Sequence, residues 1–171
     1  MLLEKLKSFF LHEQTSRQEK LVSAILAFGY VVGMGTRGRG AMGSEWYANL
    51  VKPAAQLPEW VFPFVWMALF VLIGLAGYYA WNFYKSDFGR KLFAGLYVLN
   101  GLLMAAWTDQ FFVKHDMGNG LVILVSLIVV IEAMIITGFY TNKKSSALLV
   151  PYLLWILFAA YLNASLISLN A

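Results

Sequence analysis

The sequence predicts an all-α integral membrane protein, a five-transmembrane-helix bundle with a long loop between helices 1 and 2. Three observations lead there. Hydrophobic residues make up 60% of the 171 and charged residues only 13%, against roughly 45–50% and about 25% in ordinary soluble domains. Five charge-poor stretches approach or exceed the length that crosses a bilayer as a helix, which is about 20 residues. None of them alternates with period 2 as a membrane barrel strand does, and backbone groups in hydrocarbon must then find their partners within each helix.

The elements follow in order. Met1–Lys20 is a polar, partly amphipathic extension: Leu2, Leu3, Leu6, Phe9 and Phe10 fall near one helical face and Glu4, Lys5 and Lys7 elsewhere. Such a segment either lies on the membrane surface or stays an unordered terminus. It does not read as a secretion signal, because the first long apolar run begins only at Leu21. Residues 21–171 form a single transmembrane domain. Its first span runs from about Leu21 to Gly35 and is short. The loop Thr36 to Glu59, with Arg37-Gly38-Arg39-Gly40 and Trp46-Tyr47, is long for so small a protein, and loops of that size are usually functional or disordered. The second span, Trp60 to Tyr84, is free of charge and entered through Pro53, Pro58 and Pro63, which stiffen the approach and are tolerated in a first helical turn. The third, Leu92 to Val113, carries Asp109 near one end; the fourth, Met117 to Asn142, carries Glu132 inside; the fifth, from about Ser145 to Ala171, has no charge.

Charge gives an orientation and excludes some functions. Lys5, Lys7, Arg17, Lys20, Lys85, Arg90, Lys91, Lys143 and Lys144 flank the spans on the N-terminal side, and only Arg37, Arg39, Lys52 and Lys114 flank them on the other. The positive-inside rule then puts the N-terminus in the cytoplasm of a bacterial cell. The net charge of +4 is accounted for by these flanks, so nucleic acid is not an expected partner. With no cysteine, and with His12 and His115 far apart, thiolate chemistry, metal sites and the usual hydrolase signatures are missing, and no cofactor is required. What the chain has in abundance is aromatic surface: 6 Trp, 9 Tyr and 13 Phe.

Two runs carry a resemblance. Trp46-Tyr47-Ala48-Asn49-Leu50-Val51-Lys52-Pro53, followed by Val61-Phe62-Pro63-Phe64-Val65-Trp66, is similar to the pattern WYxxLxKPxxxPPxxVFPxVW. Pro151-Tyr152-Leu153-Leu154-Trp155, Phe158-Ala159 and Leu162-Asn163 are similar to PYxxWxxFAxxLN. Both patterns belong to the tryptophan-rich sensory protein and translocator protein family (TspO/MBR), which the chain resembles from about Trp46 to Asn163. The resemblance implies a five-span bundle and a pocket beneath the first loop for porphyrins, haem-related tetrapyrroles or other flat apolar ligands. It implies that Trp66 and Trp155 are the indole walls of that pocket, with Tyr47, Phe62 and Asn163 as further lining. The alternative for any single membrane tryptophan is an interface anchor, and Trp60 and Trp81 keep that reading. The implied function is a membrane receptor or sensor of tetrapyrroles, tied to their light-dependent degradation or to stress responses. Trp66 and Trp155 would be the only catalytic candidates, as indoles oxidisable by a photoexcited porphyrin. The competing function is a small transporter that uses intramembrane Glu132, with Asp109 as a second ionisable group.

The chain departs from the family pattern at Ala55 and Leu57, where a tryptophan and a proline are usual, and at Met104 of Met104-Ala105-Ala106-Trp107, where the family pattern NxxW has an amide; Asn100 lies one turn earlier. No Lys or Arg follows Lys144, so the family's sterol motif at the end of the fifth span is not carried over. Glu132 faces either the pocket or a neighbouring helix, where Asn163, Ser126 or Asp109 would pair it, and Asp109 itself suits a solvated or capping role. Gly101-xxx-Ala105 permits close helix approach, either as a homodimer interface, which the family places on helix 3, or inside one bundle. The expected setting is a multi-pass bacterial membrane rather than a mitochondrial outer membrane, with membrane lipid and a second copy of the chain as partners.

Overall fold

The computed structural model describes residues 15–37 and 45–171. Most of the amphipathic extension and the Gly38-Arg39-Gly40 stretch lie outside the described residues. Every regular element among them is helical: α1 (Arg17–Arg37), the short α2 (Glu45–Asn49), α3 (Val61–Asn82), α4 (Asp87–Thr108), a π-helical segment (Asp109–Val113), α5 (Met117–Thr141) and α6 (Lys143–Asn170).

Side-chain caps set the helix starts. A capping box opens α1: the Ser16 amide donates to Glu19 Oε2 at 2.8 Å and the Glu19 amide to Ser16 Oγ at 3.2 Å. Ser86 Oγ accepts from the Gly89 amide, Asp116 Oδ1 from the Asn119 amide and Asn142 Oδ1 from the Lys144 amide, opening α4, α5 and α6. These caps explain why the third helix begins at Asp87 rather than Leu92 and the fifth at Lys143 rather than Ser145. The second helix stops at Asn82, short of Tyr84, because Phe83 leaves helical geometry (φ −127°, ψ 65°) and its carbonyl accepts from Asn142 Nδ2 at 2.6 Å.

Four of the helical stretches are long and apolar enough to cross a membrane: Val61–Asn82, Asp87–Val113, Met117–Thr141 and Lys143–Asn170. These match the second to fifth expected spans. The first, expected over Leu21–Gly35, coincides with α1, where Arg17, Glu19, Lys20 and Arg37 at the ends leave an apolar stretch shorter than the others. The connection expected as a long loop, Thr36 to Glu59, contains α2, and the proline-bearing run 50–60 is irregular, with turns at 54–55 and 59–60.

Helices α5 and α6 form the centre. Leu124, Leu127, Ile131 and Met134 of α5 and Leu149, Tyr152 and Ile156 of α6 are fully buried. The tight α5–α6 turn brings the backbones together, where a Cβ on Gly138 would stand 3.1 Å from the Ser146 amide nitrogen. On the outside the chain is as apolar as within, with Val122, Val125, Val129 and Ile136 exposed along one face of α5. Helices in lipid gain little from the hydrophobic effect among themselves, so this core holds by close packing and buried hydrogen bonds. One such network ties α1 to the end of α3: Asn82 Nδ2 donates to Ser23 Oγ at 2.7 Å, and Thr15 Oγ1 donates to Asn82 Oδ1 at 2.9 Å.

Candidate ligand-binding site

At the opposite end of the bundle a cavity of about 710 Å³ opens among α1, α2, α3, α6 and the α4–π segment, with no lining residue from α5. Its size falls in the usual range for small-molecule sites. Proline placement builds one wall. Pro58 accepts from the Val61 amide at 3.0 Å to start α3, and Pro63 sits in its first turn, so Phe62 and Trp66 project one turn apart. Facing them on α6, Trp155 crosses Trp66 nearly perpendicularly (centroids 6.3 Å, 88°) and meets Phe62 edge-on (5.6 Å, 65°). Tyr152 braces Trp66 from behind at 6.4 Å. Crossed rings of this kind hold both indoles in place by quadrupole attraction, and both line the cavity.

The second wall comes from the π-helical segment. Its wider turn, closed by Lys114 N to Asp109 O at 2.9 Å, rolls Phe111 inward to 3% exposure. Trp107 stacks on Phe111 (5.8 Å, 28°), and Phe112 meets both rings. The roof is α2. Tyr47 lies against Phe111 and Phe112, and its hydroxyl accepts from Gln56 Nε2 at 3.2 Å. Burial raises the Tyr47 phenol above the ordinary tyrosine range, so it stays neutral. Two fasteners hold the roof. Trp46 stacks flat on His115 (4.2 Å, 8°), and the Asn170 side chain takes both backbone groups of Val51, donating to its carbonyl at 3.1 Å and accepting from its amide at 2.9 Å. His115 adopts a left-handed backbone (φ 56°), uncommon for a residue with a side chain, and this turns the ring toward Trp46.

The residues singled out from the sequence fall into two groups. Trp66, Trp155, Tyr47, Phe62 and Asn163 all line the cavity. Asn163 is 2% exposed, and its Nδ2 donates to the Met117 carbonyl at 2.7 Å. That bond fixes the amide orientation and leaves Oδ1 buried without a partner, as is the indole N–H of Trp107. Glu132 faces neither the cavity nor a neighbouring helix. It is exposed on the outer face of α5 and has no ion-pair or hydrogen-bond partner among the described residues. Asp109 is ion-paired to Lys114 at 2.8 Å, half exposed, as suits the solvated role. Gly101 is spent inside the bundle, where an added Cβ would lie 2.1 Å from the Tyr30 hydroxyl, and Ala105 is half-buried. Asn100 donates to Tyr152 Oη at 3.1 Å and sits behind the cavity rather than in it. Trp107, which the sequence showed only as the aromatic of the altered NxxW run, and Phe111 and Phe28, which no motif marked, also line it. The i, i+4 spacing of Trp107 and Phe111 was the available signal.

Comparison with known proteins agrees with the architecture. The TspO/MBR family profile matches residues 21–169. The "Tryptophan-rich protein TspO" of Chlorobaculum tepidum is 37% identical over 131 residues, covering 74% of this chain and 80% of that protein. Its namesake in Archaeoglobus fulgidus is 35% identical over 154 residues, covering 89% and 97%. The "Translocator protein" of Homo sapiens is 33% identical over 123 residues, covering 71% and 72%. Apolar helices of spanning length and relatives of this kind make the molecule a multi-pass membrane protein, and the chain belongs to the TspO/MBR family.

Proposed function

We propose that this chain is a membrane receptor that holds a porphyrin or related tetrapyrrole in the aromatic cavity, with α1 as a fifth span completing the wall. The observation that carries the reading is the crossed pair Trp66 and Trp155 at 6.3 Å, opposite the stacked pair Trp107 and Phe111 at 5.8 Å, around a cavity of about 710 Å³. Flat macrocycles gain most from rigid indole and phenyl faces, which lose little conformational entropy on binding. The printed names of the relatives, sensory protein and translocator protein, are consistent with a ligand held at such a site. Glu132, on which the transporter reading leans, stands outside the cavity, so the geometry favours binding over ion-coupled passage. Trp66 and Trp155 are also the groups from which a photoexcited ligand would draw an electron.

The test is a titration of the protein in lipid nanodiscs with protoporphyrin IX, offered both as the free acid and as its dimethyl ester, followed by tryptophan fluorescence. Saturable quenching at one ligand per chain by at least one form is expected. Quenching that rises linearly for both, as partition into lipid alone would give, contradicts the receptor reading.

A further inference from the structure

The end of the bundle opposite the cavity is strongly basic. Segments 1–20, 85–91 and 143–144 hold nine basic residues against four acidic ones, Glu4, Glu13, Glu19 and Asp87, whereas segments 36–60 and 109–116 at the cavity end hold four of each. Two of those cations converge on one spot. Tyr78 and Tyr79 near the end of α3 and Phe83 just beyond it form a triangle of rings, with centroids 5.7–6.1 Å apart. Lys20 of α1 stands over Phe83 at 5.6 Å, and Lys144 of α6 stands over Tyr79 at 5.5 Å. Ammoniums from opposite ends of the chain thus sit on neighbouring rings.

Hydrogen bonds hold this frame. Asn82 Nδ2 donates to Ser23 Oγ of α1 at 2.7 Å, and Asn142 Nδ2, at the start of α6, donates to the Phe83 carbonyl at 2.6 Å. Adjacent residues at the end of α3 are therefore tied to the two helices that supply the lysines. The hydroxyls of Tyr78 and Tyr79 have no hydrogen-bond partner among the described residues, which leaves two donors beside the two cations.

The arrangement suits an anion. Two ammoniums on neighbouring rings repel each other, and a phosphate bridging both through charge-assisted hydrogen bonds of about 2.8 Å replaces that repulsion with attraction. Lys143 and Lys144 also open α6 with no acidic residue in its first turn, although the exposed amides of a helix start disfavour cations and favour anions there. Beyond Lys144 the same face of α6 is apolar and exposed at Ala147, Pro151 and Leu154, which is where an acyl chain would run. Free phosphate has no use for such a face.

We propose that Lys20 and Lys144, with the hydroxyls of Tyr78 and Tyr79, bind the phosphate of an anionic phospholipid whose chains lie along the outer face of α6. A zwitterionic lipid carries its own cation beside the phosphate and gains less from the pair.

The experiment titrates the full chain in detergent with dioleoylphosphatidylglycerol, dioleoylphosphatidylcholine and inorganic phosphate, and counts bound lipid by native mass spectrometry. One phosphatidylglycerol per chain is expected, held at least about tenfold more tightly than phosphatidylcholine and not displaced by phosphate. Lys20→Gln/Lys144→Gln is expected to lose that preference. Lys91→Gln/Lys143→Gln removes the same charge from the same end, where Lys91 pairs with Asp87 and Lys143 stands over Phe139, and is expected to keep it. Equal binding of the two lipids overturns the proposal, and displacement by phosphate overturns the choice of a lipid. An equal loss in both variants also overturns it, because diffuse charge would then draw the lipid. Unfolding midpoints in the same detergent show that the variants are folded; where the double variant is not, Lys144→Gln alone is expected to lose the preference several-fold, and an unchanged preference counts against the site.

Discussion

Trp66 and Trp155 could be found in the sequence because motif spacing marks them; Glu132 could be located but not oriented. The reason is physical. In α5 the buried residues Leu124, Leu127, Ile131 and Met134 and the exposed Val122, Val125, Val129 and Ile136 are equally apolar, so hydropathy carries no period that separates inside from outside in lipid. Exposed at mid-helix, Glu132 is a cost to the bundle. Glu132→Leu is expected to raise stability in bilayers by about 1–3 kcal/mol, the order of the cost of a charge at mid-membrane. A fall in the thermal midpoint on that substitution would give Glu132 a structural partner that the outer face of α5 does not offer. Gly101 runs the other way. Gly101→Ala drives a methyl into Tyr30 and is expected to cost about 1–3 kcal/mol, read as a lower unfolding midpoint. Buried Tyr152 is a third case: Tyr152→Phe strands the Asn100 amide, an expected loss of about 1–3 kcal/mol.

At the scale of elements, the sequence revealed the long helices and blurred their ends. Apolar length alone locates a span, but starts are set by side-chain caps, and Ser16-x-x-Glu19 was a readable capping box that apolar counting passes over. The π-helical turn at Asp109–Val113 left no such trace, because it answers to the packing of Phe111 against Trp46, Tyr47 and Trp107. The Asp116 cap has a pH signature. Hydrogen bonds from the Asn119 amide and side chain hold its carboxyl below the usual aspartate range, so the cap is fully present above the unfolded value of about 4 and is lost as pH falls through the lower folded value. Hydrogen exchange at Asn119 should therefore speed up in strong acid, while Asp116→Ala should exchange at the faster rate throughout. The roof of the cavity is fastened by a single side chain from α6. Asn170→Ala removes both bonds to Val51 and is expected to raise exchange at Val51 and to hasten ligand release several-fold, with the core unaffected. Unchanged release would mean that α2 is held by Trp46 on His115 alone.

Over the whole molecule, charge and aromatic surface are sorted along the bundle axis. Arg17, Lys20, Lys85, Arg90, Lys91, Lys143 and Lys144 gather at one end, while the indole-walled cavity lies at the electrically balanced other. The positive-inside rule would set the first end in the cytoplasm and open the cavity toward the far side. The fully buried α5 residues stand apart from the cavity, which takes no wall from α5, while Trp66 and Trp155 touch both the cavity and the core. The central claim is directly testable in one comparison. Porphyrin binding to the parent and to Trp66→Phe/Trp155→Phe is measured in nanodiscs by absorbance of the bound pigment, which does not depend on the removed indoles. Affinity is expected to fall about tenfold in the variant, as each indole face shrinks to a phenyl one and loses its N–H, and the unfolding midpoint is measured alongside to show that the variant is folded. Binding as tight as the parent's would place the ligand somewhere other than this cavity.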